Sequence, residues 1–296
     1  MSAEEGFVTT GEGLRLFYRK LGTGPIVLIP NGIYLFDDFR HLADTRTLLF
    51  YDVRNRGYSD GVMDEERLTG GVNNDVDDLE SVRKHFAIDR LDLIGHSYIA
   101  LVIALYALKY QGCLRRMILI GPIQPFAGKK YPPHLAGSDG TLDRVLAKIE
   151  QLRNQQSSDN PQEQCRKVWD LLRVIYVADE ADVDKIKWDR CNLPNELNFR
   201  SYWATYILPS IERLALTHKL LKTIDSPTLI VHGAKDRSSP YGGGRDWASS
   251  LSNARFLTVE CAAHAPWIEA PKIVYESMNT FLAGSWPDAA EKISCV

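Results

Sequence analysis

At 296 residues, 45% hydrophobic and 25% charged, the chain can bury a large core and fits one catalytic domain carrying an insertion, which excludes intrinsic disorder. A formal net charge of -3 supplies no basic field for nucleic acid and no polybasic surface for anionic lipid. No apolar run reaches the roughly 18 residues of a membrane span, and the opening residues Met1 to Gly6 carry neither a basic segment nor an apolar h-region, so a cytoplasmic protein is expected.

In chain order, apolar runs alternate with helical patterns from residue 7 to about 122. Strands are expected at 13–20, 25–30 and 47–52, a helix at 74–86, a strand at 91–94, a helix at 99–110 and a strand at 116–120. That alternation means a mostly parallel sheet with helices on both faces. From about Gln124 to Leu221 no comparable buried strand occurs. Amphipathic helices are expected instead at 141–154, 162–176 and 198–221, with loops such as Ser157 to Pro161 between them. The alternation resumes at Asp225 with a strand in the run 227–236 and another at 254–259, it ends with a helix at 273–282, and residues 284–296 read as a mobile tail. The organisation expected is an α/β core of residues 1–123 and 222–296, interrupted by a helical cap of residues 124–221 over the carboxyl ends of the strands.

Two negative readings bear on cofactors. Gly242-Gly243-Gly244 follows a strand and its loop but lacks the strand-turn-helix context of a phosphate or dinucleotide loop, so no cofactor is expected. Five cysteines, Cys113, Cys165, Cys191, Cys261 and Cys295, show no metal-ligand spacing, and their odd number argues against a disulfide framework. Reduced thiols and no metal follow.

Three polar residues each come directly after an apolar run. Ser97, in Gly95-His96-Ser97, sits between a strand and a helix, where a sharp turn exposes its hydroxyl; Gly95 lets the backbone turn tightly. Asp236 ends the run that starts at Pro227, and His264 follows the run that ends at Val259. In that grouping His264 takes the serine proton as general base and returns it to the leaving group, while Asp236 fixes the imidazole tautomer and stabilises the imidazolium. His96 and His232 lack such partners in the sequence and read as structural. Each residue alone also has a bland reading, an N-cap serine, a turn aspartate or a surface histidine. Their joint order is what favours catalysis.

The order nucleophile, acid, histidine resembles that of the α/β-hydrolase superfamily, nearest to the proline iminopeptidase-like serine hydrolases. Two further segments are similar to that family: Asp52-Val53-Arg54-Asn55-Arg56-Gly57-Tyr58-Ser59, with Asn55 where a glycine is usual, and His264-Ala265-Pro266-Trp267-Ile268-Glu269-Ala270-Pro271. Asparagine tolerates left-handed backbone angles, so the first loop can keep its shape. Asn31-Gly32-Ile33 stands where the family has His-Gly and an oxyanion-hole residue. The resemblance therefore implies that the backbone N–H groups of Ile33 and Tyr98 receive the developing oxyanion. Ile99 replaces the second glycine of the usual elbow, which marks a variant packing.

For substrate choice, Phe199, Tyr202, Trp203 and Tyr206 recur along one helical stretch, and Trp267 lies three residues after His264. All are candidates for the pocket wall. The proline iminopeptidase branch holds a substrate amine with cap carboxylates, a role that the resemblance offers to Glu196 and Glu212. The expected function is a serine hydrolase that cleaves a small ester, amide or amino-terminal peptide bond. A small molecule or short peptide is then the partner, and a non-hydrolytic receptor or biosynthetic enzyme on the same fold is the alternative.

Overall fold

The computed structural model describes residues 2–137, 139–154 and 160–294. Eight strands form one sheet: β1 (Glu4–Thr9), β2 (Arg15–Gly22), β3 (Ile26–Pro30), β4 (Thr47–Tyr51), β5 (Leu91–His96), β6 (Leu114–Ile120), β7 (Thr228–Gly233) and β8 (Ala254–Val259). Their order is β1-β2-β4-β3-β5-β6-β7-β8. The first three are joined antiparallel, and every pairing from β4 onward is parallel. This is the α/β-hydrolase arrangement that the resemblance implied.

Continuous apolar runs build the middle of the sheet because it is covered on both faces. Every residue of β4, β5 and β7 is buried. Along β3 the side chains alternate, Leu28 entering the core on one side and Val27 and Ile29 the core on the other. The first core packs under α2 (Val72–His85) and α3 (Tyr98–Lys109); the second packs under α1 (Gly32–Phe39) and the last long helix, Pro271–Leu282. Strand β1 escapes a reading by apolar runs. Only Val8 is buried in it, and Glu4 and Glu5 instead pair with Lys20 and Arg19 of β2.

Between β6 and β7 the described residues form helices and no strand, including α4 (Thr141–Asn154), α5 (Pro161–Leu172) and α6 (Glu196–Tyr202). The expected helix at 198–221 is broken. A wide π-type turn, Trp203–Ile207, precedes Pro209, whose ring cannot sit against the carbonyl four residues back, and the chain is non-helical at 214–217 before a short turn at His218–Leu221. Of the loop expected at 157–161, residues 157–159 lie outside the described residues. Asn160 caps α5, its Oδ1 accepting the Gln162 and Glu163 amides at 3.0 and 3.4 Å.

Three other expectations are corrected. Cys165 on α5 and Cys191 form a disulfide, with Cα atoms 5.7 Å apart across 26 residues of sequence, so an odd cysteine count said nothing about this pair. Cys113 and Cys261 are free thiols, and Cys295 lies outside the described residues. The tail is packed: Ala290 is buried, Glu291 bridges Phe256 through two backbone hydrogen bonds, and Trp286 lies 5.0 Å from the Phe281 ring. Gly242–Gly244 do open a helix after β7, α7 (Tyr241–Ser250), but Tyr131, Gln124 and His232 fill the space beside them. No helix among the described residues is long and apolar enough to cross a membrane.

Candidate active site

Strands β5, β7 and β8 deliver Ser97, Asp236 and His264 beyond their carboxyl ends. Ser97 has φ 60° and ψ -126°, a region rare for a residue with a side chain. Holding it there costs about 1–3 kcal/mol, which the buried elbow must supply. The Ser97 amide donates to Ile120 O at 2.9 Å. A Cβ on Gly95 would stand 2.5 Å from Ile103 Cδ1 and 3.0 Å from the Ala100 nitrogen, so that position demands glycine. Ile99, at the variant position, is simply buried in the core under α3.

The His264 Nδ1–H donates to Asp236 Oδ2 at 2.8 Å, with both side chains fully buried. Assigned this way from the hydrogen-bond network, the ring keeps its lone pair on Nε2, which has no hydrogen-bond partner among the described residues. Ser97 Oγ is therefore not hydrogen-bonded to it. Asp236 is held by more than His264. Its Oδ1 accepts the Ser238 and Ser239 amides, each at 2.8 Å, and Nε2 of His232 lies 3.1 Å from Oδ2. Burial pushes the Asp236 carboxyl upward, but His264 and His232 outweigh it and keep it below the usual carboxylate range. His232, read from the sequence as lacking a partner, thus contacts the acid, and the same Nε2 lies 3.2 Å from the Ser239 carbonyl.

His96 lines the cavity next to Ser97 and donates from Nε2 to the His264 carbonyl at 2.9 Å. Burial, reinforced by the neighbouring His264 ring, holds His96 well below the usual histidine range and so neutral. Two further residues support the pair, Gly121, which had no signal in the sequence, and Glu269, which lies in the segment similar to the family. Gly121, with φ 49°, follows β6, and a Cβ there would lie 3.1 Å from His264 Nδ1 and 3.3 Å from Asp236 Oδ2. Glu269 clamps the histidine loop, its carboxylate accepting the Ala263 and Ala178 amides at 2.7 Å each.

The expected oxyanion donors divide. Tyr98 opens α3 beside Ser97 and lines the cavity. Ile33 does not line it, and the nearby buried Asp52 carboxylate receives the Tyr58 amide at 3.0 Å. Burial raises Asp52 to about 6 against the pull of Tyr58, Arg19 and Ile33. Asn31 and Asn55 both have positive φ, 67° and 60°, and at Asn55 this suits a position where a glycine is usual.

A cavity of about 500 Å³ lies over Ser97. Trp203 and Phe199 line it, while Tyr202, one residue earlier than Trp203 and so about 100° around the helix, points away and donates to Gly71 O at 2.9 Å. Tyr206 packs on Tyr202 and is not in the wall. Trp267 is behind the wall, its ring 4.8 Å from that of His96 and its Nε1 donating to Asp38 at 2.9 Å. Glu196 is buried and ion-paired with Arg56 at 3.2 Å, and it borders a smaller cavity of about 250 Å³ by the disulfide. Glu212 is exposed at the end of its helix. Neither glutamate lines the space over Ser97. The sequence analysis missed Tyr176, Trp188, Arg56 and Arg200, which do. No cluster of potential metal ligands occurs among the described residues.

Comparison with known proteins gives a consistent picture. A family profile described as the alpha/beta hydrolase fold matches residues 25–271. A proline iminopeptidase from Heyndrickxia coagulans is 24% identical over 303 aligned residues, covering 94% of this chain and 98% of the relative. A non-heme chloroperoxidase, CPO-A1, from Kitasatospora aureofaciens is 26% identical over 278 residues, covering 86% and 90%. Among solved structures, an esterase from Exiguobacterium antarcticum superposes with a TM-score of 0.73 at 17% identity, over 95% of this chain and 100% of that one.

Proposed function

The chain belongs to the α/β-hydrolase fold family, and from that premise we propose that it is a serine hydrolase acting on a small ester or amide through an acyl-enzyme. Ser97 is the nucleophile, His264 the general base and acid, and Asp236 the carboxylate that fixes the imidazole. The observation that carries this reading is the buried His264–Asp236 contact at 2.8 Å, which leaves the lone pair on Nε2 at the strand ends where Ser97 faces the cavity. Attack by Oγ passes its proton to Nε2. The oxyanion meets the Tyr98 amide at the amino end of α3, and the imidazolium, steadied by Asp236, returns the proton to the leaving group. Water then releases the acyl group by the same route. Residues 124–221 act as the cap, contributing Trp188, Phe199 and Trp203 to the wall.

An amino-terminal peptide substrate is the weaker choice, because neither Glu196 nor Glu212 reaches the cavity to hold its ammonium. The position of Ile33 outside the described wall of the cavity favours a second reading, a non-hydrolytic receptor or biosynthetic enzyme in which no strong oxyanion forms. A panel of p-nitrophenyl esters beside aminoacyl arylamides separates these readings. Turnover of esters that is lost in Ser97→Ala, with the variant folded, supports the hydrolase. Turnover retained by the variant, or none by the wild type, rejects it.

A further inference from the structure

The disulfide ties together two parts of the cap that build the wall over Ser97. Cys165 lies on α5, which lends Val168 and Leu172 to that wall. Cys191 lies in the turn Arg190–Asn192, which leads through Asn195 into α6 with Phe199. Two hydrogen bonds run beside the link, from Arg166 Nη2 to Asn192 Oδ1 at 2.6 Å and from Trp169 Nε1 to the Trp188 carbonyl at 3.1 Å. Disulfides that exchange readily are those a thiolate can reach. Both cysteines line the cavity of about 250 Å³, which opens to solvent. Their side chains are otherwise buried, so a small thiol can approach the sulfurs where a folded protein cannot. The two sulfurs are also unequal, because Arg200 Nη2 stands 2.8 Å from Cys165 Sγ. A thiol beside a guanidinium ionises more readily, and in exchange the sulfur of lower pKa leaves faster. Attack is thereby directed at Cys191.

We propose that the Cys165–Cys191 pair is a reversible thiol-exchange site, attacked at Cys191 by a small thiol entering through the disulfide-lined cavity, and that its state sets how firmly the two cap segments hold the wall over Ser97. The external thiolate forms a bond to Cys191 Sγ as the Cys165–Cys191 bond breaks, and the electron pair passes to Cys165 Sγ beside Arg200. A second thiolate attacks the external sulfur and releases Cys191. The cysteine pair gains two electrons, the two external thiols are oxidised to one disulfide, and their protons end on the two cysteines. The exchange itself needs no turnover at Ser97, and only its effect on the wall rests on the hydrolase reading.

The test uses the full, oxidised, folded chain with its free thiols first blocked by iodoacetamide. Mercaptoethanol is added in native buffer, the reaction is stopped with N-ethylmaleimide, and the peptides are mapped by mass spectrometry. The mercaptoethanol adduct should sit on Cys191 and the maleimide on Cys165. Arg200→Gln should slow exchange roughly three- to tenfold, and Arg200→Lys should recover part of the rate. In ester assays the reduced chain should show KM raised about threefold or more with kcat within about twofold, because the strands and not the cap carry the triad. Adduct on Cys165, exchange that appears only in urea, or a rate unchanged by Arg200→Gln would each overturn the exchange site, and an unchanged KM would overturn its coupling to the wall. Adduct on Cys191 in a chain that turns over no ester would support the exchange site and reject the hydrolase reading instead.

Discussion

Replacing Asp75 by asparagine should remove a large pH dependence of stability. Asp75 lies on α2 with both carboxylate oxygens buried and without a hydrogen-bond partner among the described residues; the hydroxyls of Tyr51 and Tyr98 are buried and unpartnered in the same way. Burial first, and then the nearby Asp78, raise the Asp75 carboxyl to about 8, against the pull of Arg54 and Arg56. The unfolded chain ionises it near pH 4. A raised folded pKa means that the native state holds the proton longer, so the stability Asp75 contributes is full below about pH 4 and declines as pH rises toward 8. At about 1.4 kcal/mol per pH unit, the decline between pH 5 and pH 8 comes to roughly 4 kcal/mol. Asparagine has nearly the same shape and does not titrate. Urea unfolding of both proteins at pH 5 and pH 9 should therefore show Asp75→Asn gaining roughly 4 kcal/mol on the wild type between the two. Parallel pH profiles would refute the reasoning and mean that a partner satisfies the ionised carboxylate.

The other predictions concern the site and its supports. Asp236→Asn should cost several orders of magnitude in kcat through the wrong imidazole tautomer and a less stabilised cation, and a loss below about tenfold would mean that His264 is oriented by another group. Gly121→Ala should lower kcat by at least about tenfold while circular dichroism stays native, because the new methyl presses on both His264 and Asp236 at a left-handed backbone position; wild-type kinetics would show that the pair can shift freely. Cys165→Ser should lower the unfolding free energy by about 3.5 kcal/mol, the chain-entropy value for closing a loop of this length. The wild type in strong reductant should match it, and no difference between oxidised and reduced protein would contradict the pairing.

The sheet was legible in the sequence wherever burial on both faces forced a continuous apolar run, as in Leu91–His96 and Thr228–Gly233. The polar residue after such a run is placed at the strand end by the fold itself, so Ser97, Asp236 and His264 could be singled out before any coordinates. Strand β1 failed that test because it is held at the sheet edge by ion pairs and one buried valine. The wall of the cavity was mostly illegible for a geometric reason. Neighbouring helical positions point about 100° apart, so Trp203 enters the cavity while Tyr202 leaves it, and a π-turn shifts the phase of everything that follows. Glu196 matched a role in a related family, yet Arg56, whose side chain no motif constrains, already occupies its carboxylate. The disulfide was hidden because sequence spacing does not report distance between two parts of a folded insertion.

The most direct measurement is labelling of the folded protein with a fluorophosphonate, followed by mapping of the modified residue by mass spectrometry. Phosphonylation needs a serine oxygen activated by a neighbouring base, with no requirement that the natural substrate be known. The account predicts stoichiometric modification at Ser97, abolished in Ser97→Ala and strongly slowed in His264→Ala. An inert Ser97 in protein that is folded by circular dichroism would contradict it, and so would modification at any other residue in its place.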